Sequence, residues 1–278
     1  MNKTILVWGG IITTLLFCAY YPIIEPLLQR FGARDSYYSH GYMVPFVSAY
    51  LVWRKRKELA ALQPQGSYWG LFLIVVGLFI HVVSYFLKIN FASYASFLIV
   101  LFGMSLFLGG WKITRVLLFP LIFLIFMFPL PRVAILGISF EMKLLASEIS
   151  SWLINLMGIE TSVSGSRIFY PGGFVLVGDP CSGLRSLISF LALGTVVVQL
   201  TSGNAWKKSI LFFSVIPIAL FSNAIRIIVL TLASYIYGNQ IIEGFFHDFM
   251  GIMVFIIGFI GLITLMNILK CHLSLETA

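Results

Sequence analysis

Charge is scarce in this sequence: only 10% of its 278 residues are Asp, Glu, Lys or Arg, against about 25% in an ordinary soluble domain. So few charges cannot coat a soluble surface of this size, which excludes a soluble globular enzyme, and the apolar excess excludes a disordered chain. Cysteine is also sparse. Cys18, Cys181 and Cys271 are odd in number and lack ligand spacing, so neither a disulfide framework nor a thiolate metal site is expected. The four histidines, His40, His81, His247 and His272, are not spaced as zinc ligands, and no metal or other cofactor is expected. Internal repeats and low-complexity linkers are missing as well, so one integral membrane domain over residues 1–278 is expected.

What is present is apolar: 60% of residues are hydrophobic and the mean hydropathy is +1.00, which reads as a polytopic membrane protein. Runs long enough for a bilayer core of about 30 Å fall near 4–22, 38–53, 68–87, 91–109, 113–130, 183–202, 209–237 and 247–269. The second is short and carries Pro45, so it is expected tilted or broken. The first lacks a clear small-x-small cleavage site before Tyr20-Tyr21-Pro22 and is read as a retained helix. The net charge of +8 comes from short basic clusters between these runs. That pattern reports topology rather than nucleic-acid binding. With both termini cytoplasmic, Lys3, Arg54–Lys57, Lys112, Arg115, Lys207, Lys208 and Lys270 all fall inside, the arrangement the positive-inside rule favours.

Segment 131–182 then lies outside. Its first part spaces Val133, Leu136, Phe140, Leu144, Leu145, Ile149, Trp152, Leu153 and Leu156 as an amphipathic interfacial helix. Its second part alternates Val163, Ile168, Tyr170 and Val175 around Pro171-Gly172-Gly173, a small hairpin. The fold expected is therefore all-α, with about eight transmembrane helices and an extracytoplasmic amphipathic helix plus small β-hairpin between helices five and six.

Candidate chemistry gathers where the polar segment gives way to the sixth run. Cys181 follows Asp179-Pro180, which places it in or just before a first helical turn, where free N–H groups and the helix dipole stabilise a thiolate. Arg226 lies inside a run, where a guanidinium is costly. Eighteen residues separate it from Lys208, about 27 Å of helix, so it reaches the outer boundary. Twenty-three residues from Lys270 back to His247 span about 34 Å, and His247 reaches the same level. Each has a plainer reading alone: a snorkelling arginine, an interfacial histidine, a lipid-pairing Arg185. Their coincidence favours a thiol acyl-transfer site. Cys181 is the nucleophile, Arg226 the oxyanion donor and His247 the general acid and base. Asn223, three residues before Arg226, and Glu243, four before His247, are placed to orient those neighbours. Arg185 lowers the thiol pKa or holds a substrate carboxylate.

The stretches Pro180-Cys181-Ser182-Gly183-Leu184-Arg185-Ser186, Ser222-Asn223-Ala224-Ile225-Arg226 and His247, preceded by Tyr38-Ser39-His40-Gly41-Tyr42-Met43-Val44-Pro45 and Trp53-Arg54-Lys55-Arg56, resemble in order the exosortase and archaeosortase family of membrane transpeptidases. The resemblance implies a Cys-Arg-His site at Cys181, Arg226 and His247, with Ser182, Gly183, Arg185, Asn223 and Glu243 in support. It implies as partners secreted proteins that carry a C-terminal sorting signal, made of a short motif (Pro-Glu-Pro in the bacterial branch), one transmembrane helix and a basic tail. The acyl group would pass to a cell-surface acceptor at the plasma membrane of a prokaryote. Two rivals remain: a membrane subunit of a polysaccharide export system, and a transporter whose intramembrane charges mark a substrate path.

Overall fold

Glycine decides how the first half of the chain folds. The computed structural model describes residues 3–33, 36–238, 240 and 245–272, with side chains at 3–13, 180, 245, 247 and 248 excepted. It forms one compact unit ending at Pro129 and a second beginning at Leu130.

The first unit runs α1 (Lys3–Gly32), a 3₁₀ turn (Ser39–Tyr42), α2 (Val44–Arg54), α3 (Arg56–Ala61), α4 (Tyr68–Phe86) and α5 (Asn90–Phe123), which ends in a 3₁₀ turn (Leu124–Met127). Residues 90–127 drawn straight would reach about 57 Å, far beyond one bilayer. They turn back instead. Gly110 has φ 74 and ψ −177, a conformation open essentially to glycine alone. The Ser105 and Thr114 hydroxyls share a 3.0 Å hydrogen bond, and the Tyr94 and Phe128 rings stack at 5.1 Å. Two antiparallel limbs therefore replace one long helix, divided as the runs 91–109 and 113–130 anticipate. A Cβ at Gly110 would collide with the Gln65 carbonyl. We expect Gly110→Ala to lower the melting temperature of the purified protein sharply, since the residue would carry about 1–3 kcal/mol of backbone strain as well as the clash. Gly137→Ala, in helix with nothing near its Cβ, should be neutral or stabilising.

The run expected near 38–53 is broken, one of the two forms that its Pro45 predicts. α2 has 11 residues, about 16 Å, with Pro45 in its first turn and the 3₁₀ turn before it. His40 in that turn bonds the Phe126 carbonyl at 3.1 Å, and the Phe31 ring fills the space a side chain at Gly41 would need. Among the described residues, four helical stretches are long and apolar enough to cross a membrane, 68–86, 90–127 taken as one stretch across its turn at Gly110, 205–237 and 249–268, with Leu184–Leu200 apolar but shorter. That measure does not reach the eight spans expected.

The second unit contains α6 (Arg132–Leu156), strands β1 (Ser162–Ser164), β2 (Arg167–Tyr170) and β3 (Gly173–Leu176), a 3₁₀ turn (Asp179–Cys181), α7 (Leu184–Leu200), α8 (Ala205–Tyr237) and α9 (Phe245–Ile268). The hairpin expected at Pro171-Gly172-Gly173 is present, but β1 adds an edge. The sheet is a three-stranded antiparallel meander, with Ile168 opposite both Val163 and Val175. β1 escapes sequence reading because Ser162-Val163-Ser164 offers one apolar residue.

Helix α6 is amphipathic as expected, with its large apolar side chains facing away from the protein. Val133, Leu136, Phe140, Trp152 and Leu156 are exposed, while Ser139, Ala146, Ser147 and Ser150 are buried. Small residues let helices approach closely inside a bilayer, and Ser150 Oγ donates to the Ala224 carbonyl of α8 at 3.4 Å. α7, α8 and α9 share a core that includes Phe190, Val215, Ala219, Val254 and Leu262. Gly258 leaves room for the Phe190 ring, and Gly194 for Val215. Cys271 belongs to this core, whereas Cys18 is exposed.

Candidate functional site

The sheet delivers the chain to Cys181 through a tightly bonded turn. Val177 N–H donates to the Ser166 carbonyl at 2.8 Å, Cys181 N–H to Gly178 at 3.0 Å and Ser182 N–H to Asp179 at 3.2 Å. Gly183 then takes the left-handed conformation, φ 82, and α7 begins. Ser182 Oγ accepts from Leu184 N–H at 3.3 Å, satisfying one of the donors that a helix start leaves open. Of the two places expected for Cys181, in or just before the first helical turn, the structure shows the second. Cys181 sits in the 3₁₀ turn before the helix, its own N–H already committed.

Cys181 is 7% exposed, packed with Ala146 of α6, Ile168 of β2, Val177, Ile227 and Leu230 of α8 and Met250 of α9. Arg226, one helical turn from Leu230, is 6% exposed. It does not snorkel. It acts electrostatically on the Cys181 thiol, as does the half-buried Arg185 of α7. Asn223 Nδ2 donates to the Cys181 carbonyl at 3.0 Å, and Lys143 of α6 pairs with Asp179 at 2.7 Å. Cys181, Ser182, Gly183, Arg185, Asn223 and Arg226 therefore lie around one turn.

Burial pushes the Cys181 thiol above its ordinary value, while Arg226 and then Arg185 pull it down and leave a smaller rise. The lowering expected from the helix dipole does not prevail, and the net direction is upward. Desolvation outweighs the two guanidiniums, whose effect on a charged sulfur is strong in a dry setting.

His247 falls in the first turn of α9, between Phe246 and Met250, both packed with the Cys181 cluster. Its side chain, and Glu243 entirely, lie outside the described residues. The Lys143–Asp179 pair was missed in sequence, because 36 residues separate its partners and no local pattern marks either.

These features define a helical membrane protein with a buried thiol set against guanidinium groups where its sheet meets its helices. The family model for transmembrane exosortases matches residues 32–264, most of the chain. The chain belongs to the transmembrane exosortase family, as the ordered motifs around Cys181, Arg226 and His247 anticipate. No curated protein and no solved structure matches it.

Proposed function

We propose that this chain is a membrane cysteine transpeptidase that cleaves C-terminal sorting signals of secreted proteins and transfers the new C-terminus to a surface acceptor. The observation that carries the reading is the buried Cys181 thiol acted on by the Arg226 guanidinium, in a chain of the exosortase family. His247 takes the Cys181 proton and the sulfur attacks the scissile carbonyl carbon. The tetrahedral oxyanion forms against Arg226, whose planar, permanently charged fork is suited to it. Collapse breaks the C–N bond, the departing amine takes the proton from His247, and a thioester stays on Cys181. An acceptor nucleophile then attacks the thioester, yields its proton to His247 and releases the thiolate. Arg185, more exposed than Arg226, is assigned to a substrate carboxylate near the scissile bond. The excess of Lys and Arg in the opposite connections supports an active face on the extracytoplasmic side of a prokaryotic plasma membrane, with both termini inside.

Intact-mass analysis of a co-expressed protein bearing such a signal tests this. The expected product ends within the signal and carries an added acceptor. An unprocessed protein whose signal is known to be inserted in the same membrane would count against the reading, and a bare carboxyl end would reduce it to a hydrolase.

A further inference from the structure

The two ends of the Asn223 carboxamide have very different surroundings. Nδ2 holds the Cys181 carbonyl at 3.0 Å, whereas Oδ1 is buried with no hydrogen-bond partner among the described residues. The residue is 1% exposed. Exchanging the two atoms would set oxygen against oxygen, so the bond to Cys181 fixes the amide's orientation. A buried acceptor left unsatisfied is unfavourable for stability and calls for an explanation, and a positional use supplies one.

The turn is shaped around this amide. A Cβ at Gly183 would lie 2.9 Å from Asn223 Cγ and from Nδ2, and the left-handed φ of 82 independently suits glycine. Asn223 also stands three residues before Arg226 on α8, so both belong to one helix face. The carboxamide thereby ties the cysteine turn to the helix that carries the guanidinium, one turn away from it. The sequence alone suggests that Asn223 orients Arg226; the hydrogen bond instead reaches Cys181.

We propose that Asn223 is a positioning residue that sets the Cys181 thiol against the Arg226 guanidinium by holding the cysteine's own carbonyl. The transpeptidase reading enters only in the consequence for cleavage. Charged groups around the thiol are Arg226 from α8, Arg185 from α7 and Asp179 on its own turn, paired to Lys143 of α6. The sheet presents Ile168, and α9 presents Phe246 and Met250 among its described side chains. The Lys143–Asp179 pair cannot replace the amide, because the Asp179 side chain is 59% exposed and water weakens such pairs.

The test uses full-length protein with Cys18→Ala and Cys271→Ala, leaving Cys181 as the one thiol, and reads the pH midpoint of its alkylation by iodoacetamide in detergent. The midpoint reports the thiolate and is separate from the plateau rate, which reports access. Asn223→Ala should move the midpoint up by about one unit, making alkylation about tenfold slower below it. Arg226→Gln should move it at least as far. The double variant should match Arg226→Gln alone, because the amide acts through the guanidinium. A wild-type midpoint in folded Asn223→Ala, or two shifts that add in full, overturns the proposal. Asn223→Ser, whose hydroxyl is too short for the carbonyl, serves if the alanine variant does not fold. Loss of folded protein in both assigns Asn223 a purely structural role and also overturns it. Cleavage separates the two ideas: activity surviving Cys181→Ala removes the transpeptidase reading and leaves the midpoint result standing. An unshifted midpoint beside an inactive Cys181→Ala does the reverse.

Discussion

Cys181→Ala is expected to abolish processing of a co-expressed substrate while the protein still accumulates in the membrane. The substitution removes one sulfur from a cluster of Ala146, Ile168, Val177, Ile227 and Leu230. For so small a buried atom the packing loss is about 1 kcal/mol, too little to unfold a domain held by several helix pairs. Its chemical loss is total, because nothing else on that turn can form the thioester. Cys181→Ser should be nearly as inactive: a hydroxyl has a far higher pKa than a thiol, and burial of the kind that raises the thiol acts against its ionisation as well. Immunoblotting of substrate in a strain without a related enzyme checks both variants, with Cys18→Ala and Cys271→Ala processing normally.

Arg226→Lys is expected to lower the rate of cleavage by about 10²-fold or more, the scale set by losing one oxyanion donor. Lysine keeps the charge and loses the planar fork, so a residue that served only to lower the thiol pKa would tolerate it far better. Burial sharpens the contrast. At 6% exposure an ammonium must be desolvated in place of a guanidinium, which is the more weakly hydrated ion. Single-turnover cleavage by purified variant and wild type measures the effect, and a loss below threefold would remove Arg226 from the oxyanion role.

How far the sequence foretells this site depends on whether the signal is local. Arg226 betrays itself by charge inside an apolar run, and Cys181 by its place after Asp179-Pro180. Their shared level is an expectation from counting helical rise, and the electrostatic effect of Arg226 on Cys181 shows only that the two are near each other. The fold-back at Gly110 is legible as a break between two runs, though its cause, the close Gln65 carbonyl, is not. Three matters are hidden from the sequence because they are long-range. The thiol's burial depends on four elements meeting, and it opposes the lowering expected from the helix dipole. Asn223 finds its partner 42 residues away rather than one turn along its helix. α6 turns serines inward and aromatics outward, and periodicity reports the stripe without saying that the apolar side faces away from the protein. The break in the second run has a local cause that the sequence does show, Pro45 beginning a helix of 11 residues.

The most direct test of the account is the covalent intermediate. Purified protein is mixed with a peptide carrying a sorting signal, quenched in acid within one turnover, and the Cys181-containing fragment is weighed. The account predicts that this fragment gains the mass of the substrate's N-terminal portion, that hydroxylamine removes it, and that Cys181→Ala never acquires it. Cleaved substrate with Cys181 unmodified at every time point, together with cleavage by Cys181→Ala, would contradict it.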